Sequence, residues 1–128
     1  MAIKLELQNS QSTAKISILV NISNAQRPID FKNTAMLDVK NLDVPVDPTL
    51  PFLTYKAIEA ACISGGIYAR RKLGVSGLAI ELVSYAWNGD VENAEPFAIA
   101  IMIASSKAMS NEILFSETEL RGWREIEF

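Results

Sequence analysis

The chain contains no histidine. That removes imidazole as a general base or a metal ligand, and with it every histidine-dependent triad. It has one cysteine, Cys62, so neither an internal disulfide nor a thiolate metal cluster can be built, which suits a reducing compartment. Phosphate-cradling loops are also missing. Gly65-Gly66 and the run from Gly74 to Gly77 do not follow a strand as nucleotide loops do, and no Gly-Lys-Ser/Thr occurs. The N-terminus alternates charged and apolar residues and has no secretory signal, and the longest apolar stretch, 97–105, is far shorter than the roughly 20 residues of a membrane span. Basic excess is absent as well: the net charge is −3. Ten Lys/Arg balance ten Asp/Glu through Ser110, so the excess lies in 111–128, where Glu112, Glu117, Glu119, Glu125 and Glu127 outnumber Arg121 and Arg124. Nucleic-acid binders carry a basic footprint, so charge disfavours RNA and DNA as main partners.

What is present is an ordinary globular composition, 49% apolar and 21% charged, over 128 residues. That is the size of one domain with one real core. Residues 3–7 alternate as a half-buried strand. A polar stretch, 8–13, suits a hairpin loop, and 14–22 reads as a second, antiparallel strand. Residues 24–34 read as a surface connection and 36–44 as a third strand. Prolines 45, 48 and 51 end that strand and set up a helix with Thr49 as a possible cap. The apolar stripe Tyr55, Ile58, Cys62 and its neighbours gives a helix over 52–73. Gly65-Gly66 within it marks either close packing of backbone on the sheet or a break, since each glycine costs about 1 kcal/mol in a helix. Gly74 and Gly77 turn the chain into a strand over 78–87. After the Asn88-Gly89 turn and an acidic loop, Pro96 opens a helix of small and apolar residues over 97–109. The expected fold is therefore a single α+β domain, β-β-β-α-β-α, with a mixed sheet and both helices on one face. The core is assigned to 1–110, followed by an acidic C-terminal tail or edge strand over 111–128.

Each chemically notable residue has two readings. Cys62 lies on an apolar stripe without an activating base and reads as a small core residue rather than a nucleophile. Asp90, Glu92 and Glu95 form either a hard-cation site or a solvated loop capping the next helix. Glu81, alone in an apolar strand, is a buried acid or, more simply, faces solvent or a lysine. Arg70, Arg71 and Lys72 contact phosphate or cap a helix C-terminus. Trp87 ends a core strand or is an exposed recognition aromatic. Trp123 and Phe128, large aromatics in a charged terminus, dock on a partner or back on their own domain.

The stretch Ala79–Gly89, the acidic loop Asp90–Glu95 and the helix segment Met102-Ile-Ala-Ser-Ser-Lys-Ala108 together resemble the fourth domain of elongation factor G. That domain has an apolar strand, a glycine turn, an acidic loop and a helix ending Ile-Ala-x-Ser-x-Ala. Gly66-Ile67, Gly74 and Gly77 are similar to that family's approach to the strand, and 36–46 loosely resembles the segment before its first helix. The resemblance covers about half the chain and implies a ribosomal protein S5 second-domain-like fold with a left-handed crossover, an exception to the usual handedness. It also implies RNA or ribosome association. The chain departs from the family at the loop, where Glu92 stands in place of the tip histidine, and it lacks the glycine- and arginine-rich segment and the GTPase.

The expectation is a small, cytoplasmic, standalone and non-enzymatic interaction module that binds a protein partner or itself, with no membrane or DNA partner. A ribosome-associated translation-factor-like domain and a small enzyme using loop carboxylates are the alternatives. Asn88, Asp90, Glu92, Glu95, Arg70, Arg71, Lys72, Trp123 and Phe128 are the candidate binding residues. No catalytic residue, metal site or cofactor is assigned.

Overall fold

The computed structural model describes residues 3–8, 13–23, 28–33, 50–86, 94–110 and 112–125. It builds a mixed five-stranded sheet with two helices. Strands β1 (Ile3–Gln8) and β2 (Thr13–Ser23) pair antiparallel, with Leu5 opposite Ile16 and Leu7 opposite Ala14. Strand β2 also pairs antiparallel with β4 (Gly77–Ala86), with a register shift between Ser17 and Ile18. Such bulges bend and twist a strand locally. Strand β3 (Ile29–Asn33) runs parallel to β4, and the two-residue β5 (Arg124–Glu125) pairs antiparallel with β1. The order across the sheet is β3-β4-β2-β1-β5.

Alternation decides which face is covered. Leu5, Leu7, Ala14, Ile16, Ile18, Val20, Leu78, Ile80 and Leu82 are all buried, two residues apart within each strand. Their neighbours carry charge on the open face, where Lys15 meets Glu6 at 3.2 Å and Lys32 meets Glu81 at 3.8 Å, each across a strand pair. Glu81 thus has the solvent-side, lysine-opposed place that simple alternation predicts.

Helix α1 (Leu50–Leu73) is the crossover between the parallel neighbours β3 and β4, and α2 (Glu95–Ser110) packs beside it over β2 and β1. From Pro96 to Ser106 only Ala98 escapes full burial, as befits a helix apolar nearly all round. Ser105 and Ser106 are tolerated in this core because their hydroxyls donate to the carbonyls of Ile101 and Met102, at 2.6 and 3.1 Å.

The glycine pair sits inside an unbroken helix, and each member has its own neighbour. A Cβ on Gly65 would lie 2.6 Å from the Ala98 carbonyl oxygen, so α1 and α2 touch backbone to backbone. A Cβ on Gly66 would meet side-chain methyls of Ile80 and Ile29 on the sheet, at 2.9 and 3.1 Å. Close packing is therefore the reason for the pair, half of it against the second helix. Helix α1 ends at Gly74, whose φ of 68° lets its N–H and that of Val75 both reach the Arg70 carbonyl.

One element needs correction. Residues 29–33, expected within a surface connection, form β3. Ile29-Asp-Phe-Lys alternates apolar and charged residues, and β4 offers an edge for it to pair with, which outweighs the polar context around Pro28. The strand expected over 36–44 lies outside the described residues. The order β-β-β-α-β-α, the mixed sheet and the two helices stand as expected.

Candidate functional site

An open groove of about 900 Å³ runs along the α1–α2 seam. Its floor is small and apolar: Ala57, Ala61 and Gly65 from α1, and Ala98, Ile99 and Met102 from α2. The floor exists because the helices approach to backbone contact at Gly65 and Ala98, which large side chains would prevent. Thr118, Glu119 and Arg121 wall off one end.

That wall is the segment after α2, folded back over the body. Phe115, Leu120 and Trp123 are buried beneath it, and Phe115 stacks at a tilt on Tyr68 with ring centres 5.9 Å apart. Three carboxylates fasten it. Glu119 accepts from the Ser116 backbone N–H at 3.0 Å, from Lys72 Nζ at 3.3 Å and from the Tyr68 hydroxyl. Those donors, the Ser116 N–H first and Tyr68 next, pull its pKa down from 4.5 to about 2. The same bond raises the Tyr68 pKa, since it stabilises the protonated phenol. Glu95, in the first turn of α2, accepts from the Trp123 indole N–H at 3.2 Å and lies 3.8 Å from the Arg121 guanidinium. At the far end Lys107 grips Glu125 at 2.5 Å.

The candidate residues therefore separate. Lys72 and, through Arg121 and Trp123, Glu95 meet at the fold-back segment. Arg70 turns away, donating from Nε to the Ser76 carbonyl at 2.9 Å and clamping the α1–β4 turn. Arg71 is exposed beside them. The basic triplet is thus divided, with Lys72 bonded to the fold-back segment and Arg70 to the α1–β4 turn. Trp123 is 5% exposed, its ring buried against its own domain. Asn88, Asp90, Glu92 and Phe128 lie outside the described residues.

Sequence reasoning missed Tyr68, Ser116 and Glu119. A signal was there. Ser116-Glu-Thr-Glu119 is a capping box: the Glu119 N–H donates to Ser116 Oγ at 3.1 Å while Glu119 returns the bond to the Ser116 N–H. It opens the turn 117–122 and so aims Glu119 at α1.

The Tyr68 hydroxyl donates to an ionised carboxylate, which makes it a poorer acid and nucleophile. Cys62 is fully buried, and desolvation, with a smaller push from the Glu59 charge, lifts its thiol to about 12. Among the described residues no group of three His, Cys, Asp or Glu is placed to hold a metal ion, and no described helix is long and apolar enough to cross a membrane. The chain matches no protein-family model, and no curated protein or solved structure is significantly similar to it.

Proposed function

We propose that this protein is a non-enzymatic interaction module and that the α1–α2 groove is where it receives an amphipathic helical segment of a protein partner. The groove itself carries the reading. Its floor of small and apolar residues lets another helix approach closely. At its end Glu119 is paired with Lys72 and Glu95 with Arg121, so the end is polar but balanced in charge. An open trough with an apolar floor complements the apolar face of an amphipathic helix.

The test is a titration with an amphipathic helical peptide, and with the same peptide carrying Gln at each apolar position, followed by amide chemical shifts. The amphipathic peptide should perturb Ala57–Tyr68 and Ala98–Met102, the polar one should not, and Ser64→Arg, an exposed position on the rim, should abolish the effect. Absence of perturbation along both helices defeats the proposal. Two other occupants show themselves in companion measurements. Self-association gives a concentration-dependent mass in sedimentation, and an RNA partner gives retention on a filter at low salt that is lost as salt rises.

A further inference from the structure

Like the two helices, and unlike the strands of the sheet's centre, the fold-back segment is held mainly by side chains, but within 116–125 only Leu120 and Trp123 are buried. Its turn satisfies its own backbone: Leu120 N–H donates to the Ser116 carbonyl, Arg121 to Thr118 and Trp123 to Leu120, at 3.0, 3.2 and 3.0 Å. Arg121 and Gly122, with φ of 52° and 81°, form a left-handed pair that swings Trp123 back to the body. Arg121 is the only non-glycine residue with positive φ among the described residues, a conformation that disfavours a side chain. Among the described residues its regular pairing to the sheet is two residues long, Arg124 and Glu125 opposite Gln8 and Leu7. Among the described residues the other contacts that hold 116–125 are made by side chains: Glu119 to Tyr68 and Lys72, Glu95 to Trp123 and Arg121, Lys107 to Glu125, and the buried Leu120 and Trp123. Lifting the segment away would therefore leave few backbone groups without partners, whereas lifting any central strand would orphan a whole ladder. Segments with few pairings to the rest of a fold open at lower free energy than its centre.

We propose that residues 116–125 are a latch that opens as one unit while the sheet and both helices stay folded. Because Thr118, Glu119 and Arg121 are the end wall of the groove, opening removes that wall and lengthens the trough. The consequence for binding rests on the reading of the groove as a partner site, whereas the opening itself does not. A partner helix longer than the closed groove would engage the open form and shift the population toward it.

Native-state hydrogen exchange on the full chain, without any partner, is the deciding measurement. The reporters are the Trp123 indole N–H, whose acceptor Glu95 lies on α2, and the amides of Ile16, Ile18 and Val20 in β2. The indole N–H should exchange by an opening with little denaturant dependence and well above the rate set by global unfolding. Glu119→Gln with Glu125→Gln should speed its exchange by about tenfold and leave β2 amides within about twofold of their original rates. Exchange of the indole N–H and the β2 amides through one common opening would overturn the proposal. So would a latch indifferent to the two substitutions, or a loss of protection shared equally by β2. If the peptide titration fails while the exchange result holds, the groove reading falls and the latch remains.

Discussion

Helix α2 and the latch that follows it are consecutive in sequence, and each buries a large aromatic side chain, yet different forces hold them. Phe97 lies at 0% exposure among strand side chains, with its ring edge-on to Tyr85 at 5.3 Å, in a helix whose buried face is nearly continuous. Trp123 is almost as deeply covered, but it is reached through a turn that bonds mainly to itself and is fastened by carboxylates near the surface. Exposed ion pairs contribute little each, a median of about 0–1 kcal/mol. Depth of burial alone therefore does not tell whether a residue belongs to the cooperative core. What tells is how much of its own element is buried with it: α2 is buried from Pro96 to Ser106 except at Ala98, whereas the latch buries Leu120 and Trp123 alone.

The sharpest way to break this comparison is to truncate both rings. Phe97→Ala should lower global stability by about 3–5 kcal/mol, the usual loss for emptying a core aromatic site. Trp123→Ala should lower it by less, because the loss cannot exceed the free energy of docking the latch. Denaturant unfolding followed by circular dichroism reads both. Labelling of Cys62 supplies an independent clock, since a fully buried thiol held up to about 12 reacts only when the body opens. Phe97→Ala should accelerate labelling strongly and Trp123→Ala weakly. Equal losses, or equal acceleration, would put the latch inside the core.

A smaller effect separates the two glycines that seat α1. Gly65→Ala drives a methyl into the backbone of α2, which cannot yield without moving the helix, and should be destabilising by about 2–3 kcal/mol. Gly66→Ala meets only the far ends of Ile80 and Ile29. The gain in helix propensity, about 1 kcal/mol, offsets that crowding, so the net change should stay within about 1 kcal/mol. Thermal melts of the two variants decide it. A costly Gly66→Ala beside a harmless Gly65→Ala would mean that the helix–helix approach does not govern the groove floor.

Much of this architecture was legible beforehand. Period-two alternation located β1, apolar and β-branched runs located β2 and β4, the apolar stripe and the glycines located α1, and the small-residue run located α2. Alternation also put Glu81 opposite a lysine. What failed did so for a physical reason. Strand β3 is five residues long in a polar stretch, and its identity comes from pairing with β4 rather than from its own composition. The site was less legible than the fold. Trp123 and Lys72 were singled out for their types, but the partners that give them a task lie far off in the chain. Tyr68 and Glu119 are 51 residues apart, and only the reversal of the chain after Ser110 joins them. The capping box at Ser116 was the one local mark of that reversal.

The smallest expected effect is a pH dependence confined to the latch. Glu119 titrates at about 2 in the docked latch against an ordinary 4.5, so its folded pKa is depressed. Its contribution to docking is complete above 4.5 and is lost as pH falls from there to about 2. Tyr68 has the opposite sign. Its pKa is raised by the bond to Glu119, so docking keeps that bond up to the ordinary phenol range near 10 and loses it as pH climbs through the raised value. The latch is thus most secure between these limits, and physiological pH lies well inside them. The nuclear magnetic resonance signal of the Trp123 indole N–H reports docking directly through its bond to Glu95. It should hold its position from pH 7 to 5, drift or broaden between 4.5 and 2 ahead of the β2 amides, and lose most of that drift in Glu119→Gln. A signal that stays fixed until β2 itself melts would show that charge does not set the difference between the latch and α2, leaving Phe115, Leu120 and Trp123 as its fasteners.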